Sequence, residues 1–407
     1  MSNLNYNFRI NNLPPFSLGD IARSVASARN SGRDVIDLSQ LNPNLTPPGV
    51  AVEKLVQASL QPQNHKYSSS QGISKLRQSF TAWYARKFNV NLDSEAEVVV
   101  TIGTKEGLSH LLLATVTPSS TILIPTPAYP IHTASIILAG AHLIGVPLLS
   151  ENDSLQSQRV ETLTDKSDDF FKRLVTIYEA TWPRPIMMIL SFPHNPTTTV
   201  VELSFFERLV ALAKELGIFL IHDFAYADVC FDGYVAPSIL EVEGAKDIAV
   251  EFCSLSKGAS MPGWRIGICA GNPQLVGALK KIKSFFDCGV FQPLQIAAIK
   301  AVEQYDSFVM ENVDEYKSRR DTLVQGLNQI GWTVEKPLGS LFLWARIPEK
   351  YRKLGSLKFA NMLLEKNVAV CPGVGFDMHC DEYVRFAFVE NDSRIRNAVD
   401  NISEFFK

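Results

Sequence analysis

Residues 187–223 read MMILSFPHNPTTTVVELSFFERLVALAKELGIFLIHD. An apolar run, MMILS, ends in the loop FPHNPTTT. A helical period follows from Ser204 to Leu216, with Phe206, Leu209, Val210, Ala213 and Leu216 on one face. Ser204 and Glu207 have capping-box spacing just ahead of that face, and Gly217 is placed to end the helix. IFLIHD then enters a second nearly continuous apolar run. Strands that are apolar on both faces and alternate with helices indicate a central, mostly parallel sheet covered by helices on both sides.

The same alternation extends outward. VVVTI (98–102), TILIP (121–125), IAVEFCS (248–254) and RIGICA (265–270) read as further strands. VVVTI leads into a glycine-led helix, GTKEGLSHLLLATV, and TILIP into the turn TPAYP and a small-residue helix around HTASIILAG. The C-terminal third differs. A long helical region, about 292–330, precedes the strand-like WTVEKP, SLFLWARI, VAVCPG and YVRFAFV, with helices around 357–366 and 393–406. This predicts a smaller α+β domain beside the α/β one. The first stretch, with Pro14, Pro15, Pro43, Pro47 and Pro48, reads as an arm and crossover. The expected organisation is residues 1–50 as N-terminal arm and part of the small domain, 51–294 as the large domain, and 295–407 as the C-terminal small domain.

The 407 residues carry 39 basic and 42 acidic side chains, a formal charge of -3. That balance supports neither a nucleic-acid partner nor an anionic membrane surface. A hydrophobic content of 46% with 10% aromatics places the chain in the globular class. No run approaches the about 18 apolar residues of a membrane span, and the N-terminus shows no signal-peptide core. Cys230, Cys253, Cys269, Cys288, Cys371 and Cys380 have no zinc-ligand spacing, and the histidines form no HExxH. The expectation is a cytoplasmic, metal-free protein with reduced thiols.

Ligands of α/β proteins gather where loops leave the carboxyl ends of strands. After VVVTI come Gly103, Thr104 and Lys105, a helix start whose backbone amides can hold a phosphate and which equally reads as a plain helix start. After IFLIH comes Asp223, with Tyr226 three residues on. After FCS come Ser256 and Lys257, with Arg265 eight residues past the lysine. A strand-end aspartate is often a helix cap and a loop lysine is usually solvated. Their joint occurrence on successive strand ends, with an Asn-Pro loop between, argues for one shared site.

At this point the sequence resembles a known family, the fold-type I pyridoxal-phosphate-dependent class I/II aminotransferases, and more narrowly the bacterial glutamate–pyruvate (alanine) transaminases. The resemblance runs from about Arg9 to Phe406. It includes HKYSSSQGISKLR, TIGTKEGLSHL, PTPAYPIH, SFPHNPT, GAKDIAVEFCSLSKGASMPGWRIG and DEYVRFAFVEN. The SLSK…GWRIG element with an upstream D-x-A-Y is its most specific part.

The resemblance implies pyridoxal 5'-phosphate as cofactor, held by Lys257 as a Schiff base; the freed amine then serves as general base. A primary amine can do both, whereas arginine stays protonated. It further implies Asp223 on the pyridine nitrogen, Asn195 and Tyr226 on the ring hydroxyl oxygen, and Tyr129 stacked over the ring. Phosphate binding would fall to Gly103, Thr104, Lys105, Ser254, Ser256 and Arg265, though Ser256 also reads as serving the backbone turn. Arg385 would clamp the substrate α-carboxylate. Tyr67 would reach the phosphate of the neighbouring subunit, which makes a homodimer with shared active sites the catalytic unit. Without the resemblance, Arg385 reads as an edge-strand surface residue and Tyr67 as a turn aromatic.

The sequence departs from the family at the substrate rim. Leu41 stands where related enzymes have a glycine close to the substrate carboxylate; a leucine adds a side chain there and disfavours φ > 0. Leu45 replaces a small residue, His194 stands where serine is common, and Gly258 and Ala259 replace bulkier residues after the lysine. Two readings stand side by side: a shifted amino-acid preference, or drift with a small loop readjustment. The expected activity is amino transfer between an L-amino acid and a 2-oxo acid, first alanine and glutamate with pyruvate and 2-oxoglutarate. Transamination of methionine, aspartate, aromatic amino acids or LL-diaminopimelate is the alternative. Behind it stand a C–S lyase or decarboxylase reaction, and last a non-enzymatic amino-acid sensor.

Overall fold

The computed structural model describes residues 7–14, 18–148 and 167–406. Its main sheet has seven strands in the order β2 (Val98–Thr101), β8 (Gly267–Gly271), β7 (Ala249–Ser254), β6 (Phe219–Asp223), β5 (Met187–Leu190), β3 (Thr121–Thr126) and β4 (His142–Pro147). All pair parallel except β8, which runs against both β2 and β7. The continuous apolar runs follow from burial on both faces. Leu123, Met188, Leu190 and Leu220 point into one core, while Ile122, Ile124, Met187, Ile189 and Ile221 point into the other. Burying each such side chain stabilises the fold by about 1.5–3 kcal/mol.

The smaller lobe is built on a three-stranded antiparallel sheet, β11 (Cys371–Pro372), β12 (Tyr383–Ala387) and β9 (Phe342–Arg346). Beside it, β1 (Ile36–Asp37) pairs in parallel with β10 (Val368–Ala369). The N-terminal segment zips onto this lobe, with Leu38 N–H donating to the Ala369 carbonyl (2.9 Å) and Ala387 N–H to the Leu38 carbonyl (2.7 Å). That pairing delivers Gln40 and Leu41 to the carboxyl ends of the interior strands of the main sheet. The first core continues through Tyr305 and Val309, the second takes up from Tyr316, and Val313 touches both. One helix, Tyr305–Gln329, therefore runs from one core into the other.

Several local expectations are corrected. The helix after β5 spans Leu203–Leu216 with Glu202 at its N-cap and no side-chain cap, so Ser204 lies inside it. Phe205, buried in the first core, extends the apolar face and draws the start upstream. A reciprocal capping box forms instead at Ser238 and Glu241. WTVEKP makes no strand: the Asn328 side chain donates to the Val334 carbonyl and accepts from its N–H, both at 2.9 Å, replacing a ladder. The region 292–330 divides at Gln304 into Gln292–Glu303 and Tyr305–Gln329. β4 had no clear sequence signal, being an edge strand with an exposed first residue. The arm also contains a helix, Leu18–Asn30. Arg265 sits in a left-handed turn (φ 57°) ahead of β8 rather than in the strand. Among the described residues, no helix is long and apolar enough to cross a membrane.

Candidate active site

The sequence direction switches between β3 and β5, and loops from both, with those after β6 and β7, open on one side of the sheet. There they enclose a cavity of about 310 Å³. Its lining brings together Thr104, Lys105, Tyr129, Asn195, Asp223, Tyr226, Ser254, Ser256, Lys257, Arg265 and Arg385, with Gln40, Leu41, Ile131, His132 and Phe342. Gly103 is the N-cap beside it. Tyr67 is not in this lining and is 91% exposed.

Asp223 ends β6 and is 8% exposed. Its Oδ2 meets His132 Nε2 at 2.8 Å, whereas Oδ1 is buried without a hydrogen-bond partner. The sequence reading passed over His132. Its only signal was position: three residues after Tyr129, at the start of the helix Pro130–Ala139 that leaves β3.

Arg385, at 1% exposure, comes from the central strand of the small sheet, opposite Cys371 and Trp344. Its Nη1 donates to Asn195 Oδ1 (2.7 Å) and its Nη2 to the Ser39 carbonyl (3.2 Å); Nε has no partner. The guanidinium lies 4.0 Å from the Phe342 ring centroid and 4.7 Å from that of Phe376, which offsets part of its desolvation. It was legible only through the resemblance, because the strand that buries it belongs to a lobe built from both chain ends.

At the other end, the helix Thr104–Thr115 begins at Gly103 (φ 75°) with no side-chain cap, so its first amides face outward unclaimed by a cap. The positive dihedral favours glycine at 103, and a Cβ there would stand 2.1 Å from Arg265 Nη2 and displace the guanidinium. Arg265 donates to the Pro262 carbonyl (3.0 Å) and the Ile102 carbonyl (3.4 Å). Ser254 Oγ donates to Ser256 Oγ (2.8 Å) and accepts from Ser256 N–H (3.1 Å), so the two serines form one local turn.

Electrostatics separate the groups by role. Burial first, then the cations Arg265 and Arg385, push the Lys257 amine down to about 7, against the opposing pull of Asp223. Burial and then the Asp223 charge push the Tyr129 phenol up to about 12, and burial raises Tyr226 well above its usual value. His194 is pushed down to about 3 by burial, then by His132; its Nδ1 lies 2.7 Å from Thr197 Oγ1. It stays neutral and holds the loop around Asn195. With its cofactor removed, the protein should therefore show Lys257 labelling by an amine-reactive reagent with a midpoint near pH 7. A midpoint near the usual lysine value of about 10.4 would contradict this electrostatic picture.

Leu41 has no left-handed backbone: among the described non-glycine residues with positive φ it does not appear. Its side chain packs with Tyr226, Phe342, Ala387 and Val389 and lines the cavity. Away from the cavity, Glu106, His110 and Asp287 place possible ligand atoms close together, but the Lys283 ammonium already lies 3.0 Å from Glu106 and 2.9 Å from Asp287.

The sequence profile of the family "Aminotransferase class I and II" matches residues 33–402. The chain belongs to the class I and II aminotransferases. It is similar to the glutamate-pyruvate aminotransferase AlaC of Escherichia coli K12, with 46% identity over 98% of this chain and 93% of the relative. It is 36% identical to an LL-diaminopimelate aminotransferase of Moorella thermoacetica, covering 97% of this chain and 96% of the relative. Among solved structures, substrate-bound BacF from Bacillus subtilis superposes with a TM-score of 0.88 at 30% identity, covering 99% of this chain and 98% of that one. The fold is that of fold-type I, and the aminotransferase takes pyridoxal 5'-phosphate as its cofactor.

The aminotransferase cavity fits that group. The partnerless Asp223 Oδ1 suits a ring N–H, the uncapped helix start and Arg265 suit a phosphate dianion, and the weakly basic Lys257 suits an aldehyde.

Proposed function

We propose that this aminotransferase moves an amino group reversibly between a small or medium L-amino acid and a 2-oxo acid, with alanine–pyruvate and glutamate–2-oxoglutarate as its leading pairs. One observation carries the reading. A buried carboxylate, bound on one oxygen by His132 and free on the other, shares a cavity with Lys257 and Arg385. The similarity to a glutamate-pyruvate aminotransferase supports the choice of pair. Leu41, Ile131 and Phe342 in the lining support alanine as one of the donors.

Bound pyridoxal phosphate supplies an aldehyde that condenses with amines and a ring that takes up the electron pair left when Cα–H breaks. Each protein group then has a task. Lys257, substantially neutral near pH 7, would accept the Cα proton at Nζ and pass it to the carbon that was the cofactor's aldehyde, so that the donor loses both its proton and its amino group. Asp223 Oδ1 holds positive charge at the ring nitrogen while His132 fixes the other oxygen. Asn195 Oδ1 already accepts from Arg385, which leaves Nδ2 to donate toward the ring oxygen beside the protonated Tyr226 hydroxyl. Tyr129, which lines the same cavity, would hold the ring. Thr104, Lys105, Ser254, Ser256, Arg265 and the amides following Gly103 hold the phosphate. Arg385 takes the substrate α-carboxylate and so orients the Cα–H bond.

The active unit in this reading is a homodimer. Tyr67 stands exposed, and Val56, Leu60 and Phe291 near it in sequence or packing add exposed apolar surface. Within each chain, a large cofactor-holding domain and a smaller domain from both chain ends meet along the helix Tyr305–Gln329. The six unpaired cysteines support a reducing, cytoplasmic setting.

L-Alanine added to the cofactor-loaded protein should bleach the pyridoxal absorbance band and release stoichiometric pyruvate, and 2-oxoglutarate should restore the band. LL-Diaminopimelate belongs in the same donor panel. The proposal is sunk if neither that compound nor any proteinogenic amino acid changes the spectrum. Ammonia and pyruvate from cysteine without an oxo-acid acceptor would point to lyase chemistry instead.

A further inference from the structure

The helix Tyr305–Gln329 carries Tyr305, Asn312 and Arg319 seven residues apart, two helical turns each, and so on one face. Each reaches a different segment of the chain outside the cavity lining. Tyr305 Oη donates to Asp228 Oδ2 (2.5 Å), just past β6, and the Lys87 ammonium pairs with the other Asp228 oxygen. Asn312 Nδ2 donates to the Gly258 carbonyl (2.8 Å), immediately after Lys257. Arg319 Nη1 donates to Asn44 Oδ1 (2.7 Å) and the Val389 carbonyl (2.5 Å).

The peptide after Lys257 is held tightly. A Cβ on Gly258 would stand 2.9 Å from Tyr305 Oη and 3.0 Å from Asp228 Cβ, so the tyrosine and aspartate fill the space that a side chain needs there. Ala259 behind it is fully buried in the first core. Ser260 follows in a left-handed conformation (φ 50°), its Oγ donating to the Leu45 carbonyl (2.6 Å) and its N–H to the Lys257 carbonyl (3.2 Å). The sequence departures Gly258, Ala259 and Leu45 are thus neighbours through Ser260, in one unit braced by this helix.

We propose that Asn312 and Tyr305 are positioning residues for Lys257, fixing the peptide that follows it and thereby the direction in which its amine enters the cavity. The idea rests on Lys257 being the cofactor lysine. Neither residue lines the cavity, so both act through Gly258. The charged groups that face the amine itself are Asp223 from β6, Arg265 from the turn before β8 and Arg385 from β12. A displaced amine changes its distance to all three.

Asn312→Leu removes the donor, keeps the same branched set of side-chain heavy atoms and adds no charge. Two readouts follow: the pH midpoint of Lys257 labelling in the cofactor-free full-length protein, and steady-state kinetics of the loaded enzyme with L-alanine and 2-oxoglutarate. The midpoint should move by about 0.5 pH or more. kcat should fall about tenfold with KM within about twofold, as for a misaligned catalytic group. A cooperatively folded Asn312→Leu protein with the parental midpoint and kcat overturns the proposal. Where that variant does not fold, Tyr305→Phe, which keeps the ring, is read in the same way, and an unchanged midpoint overturns the proposal equally. A wrong assignment of Lys257 looks different, because Lys257→Ala would then keep the parental cofactor absorbance band.

Discussion

Replacing Lys257 with alanine is expected to lower kcat/KM by about 10⁴-fold or more and to abolish the absorbance band of lysine-bound cofactor. In the proposed function two roles disappear together, the covalent attachment and the proton shuttle. The flanking guanidinium and phenol groups are poor substitutes. A guanidinium is no proton acceptor at neutral pH, and burial holds the Tyr129 and Tyr226 phenols far above it. The fold should survive, because burial disfavours the lysine charge and an alanine carries none. Stopped-flow spectra with L-alanine and a thermal melt give the two readings. A well-folded variant retaining more than about a hundredth of the parental rate would remove Lys257 from the mechanism.

Arg385→Gln is expected to lose about 10²-fold or more in kcat/KM, chiefly through a higher KM for the amino acid, since a charged hydrogen-bond pair to a carboxylate contributes about 1.5–3 kcal/mol per bond. The same change should leave the cofactor-free protein no less stable. The buried guanidinium has neutral oxygens and two aromatic faces around it, with no carboxylate partner in its hydrogen-bond set, and its Nε has no partner. Such a charge costs stability until an anion arrives. A variant with parental kinetics and a lower melting temperature would reverse this account.

Most of the main sheet was legible because its strands are buried on both faces: Leu123 and Ile124 face different cores, so the run reads as unbroken apolar sequence. β4 escaped as an edge strand, and WTVEKP misled because Asn328 supplies a side-chain substitute for strand pairing. Lys257, Asp223 and Arg265 could be read from their strand-end positions. His132 could not, because nothing local distinguishes it from any helix-start histidine before Asp223 is set opposite it. Arg385 needs Ser39 and Asn195, far away in sequence, to become a cavity residue. The bracing of Lys257 by Asn312 has no sequence signal at all, since it joins a helix facing two cores to a loop.

The single reversed strand also decides where the chain can tolerate changes in length. Parallel neighbours must be joined by a crossover that travels the length of the sheet, typically more than about ten residues, and such a path can absorb an insertion without moving its ends. β8 instead returns directly beside β7, with Ser254 opposite Gly267. The segment from Lys257 to Arg265 is therefore a closed hairpin end, with Met261 N–H on the Leu255 carbonyl and Leu255 N–H on the Ile266 carbonyl. One added or deleted residue there would rotate the amine relative to the guanidinium. Length variation among descendants of this chain should collect in its crossovers and leave that hairpin at constant length.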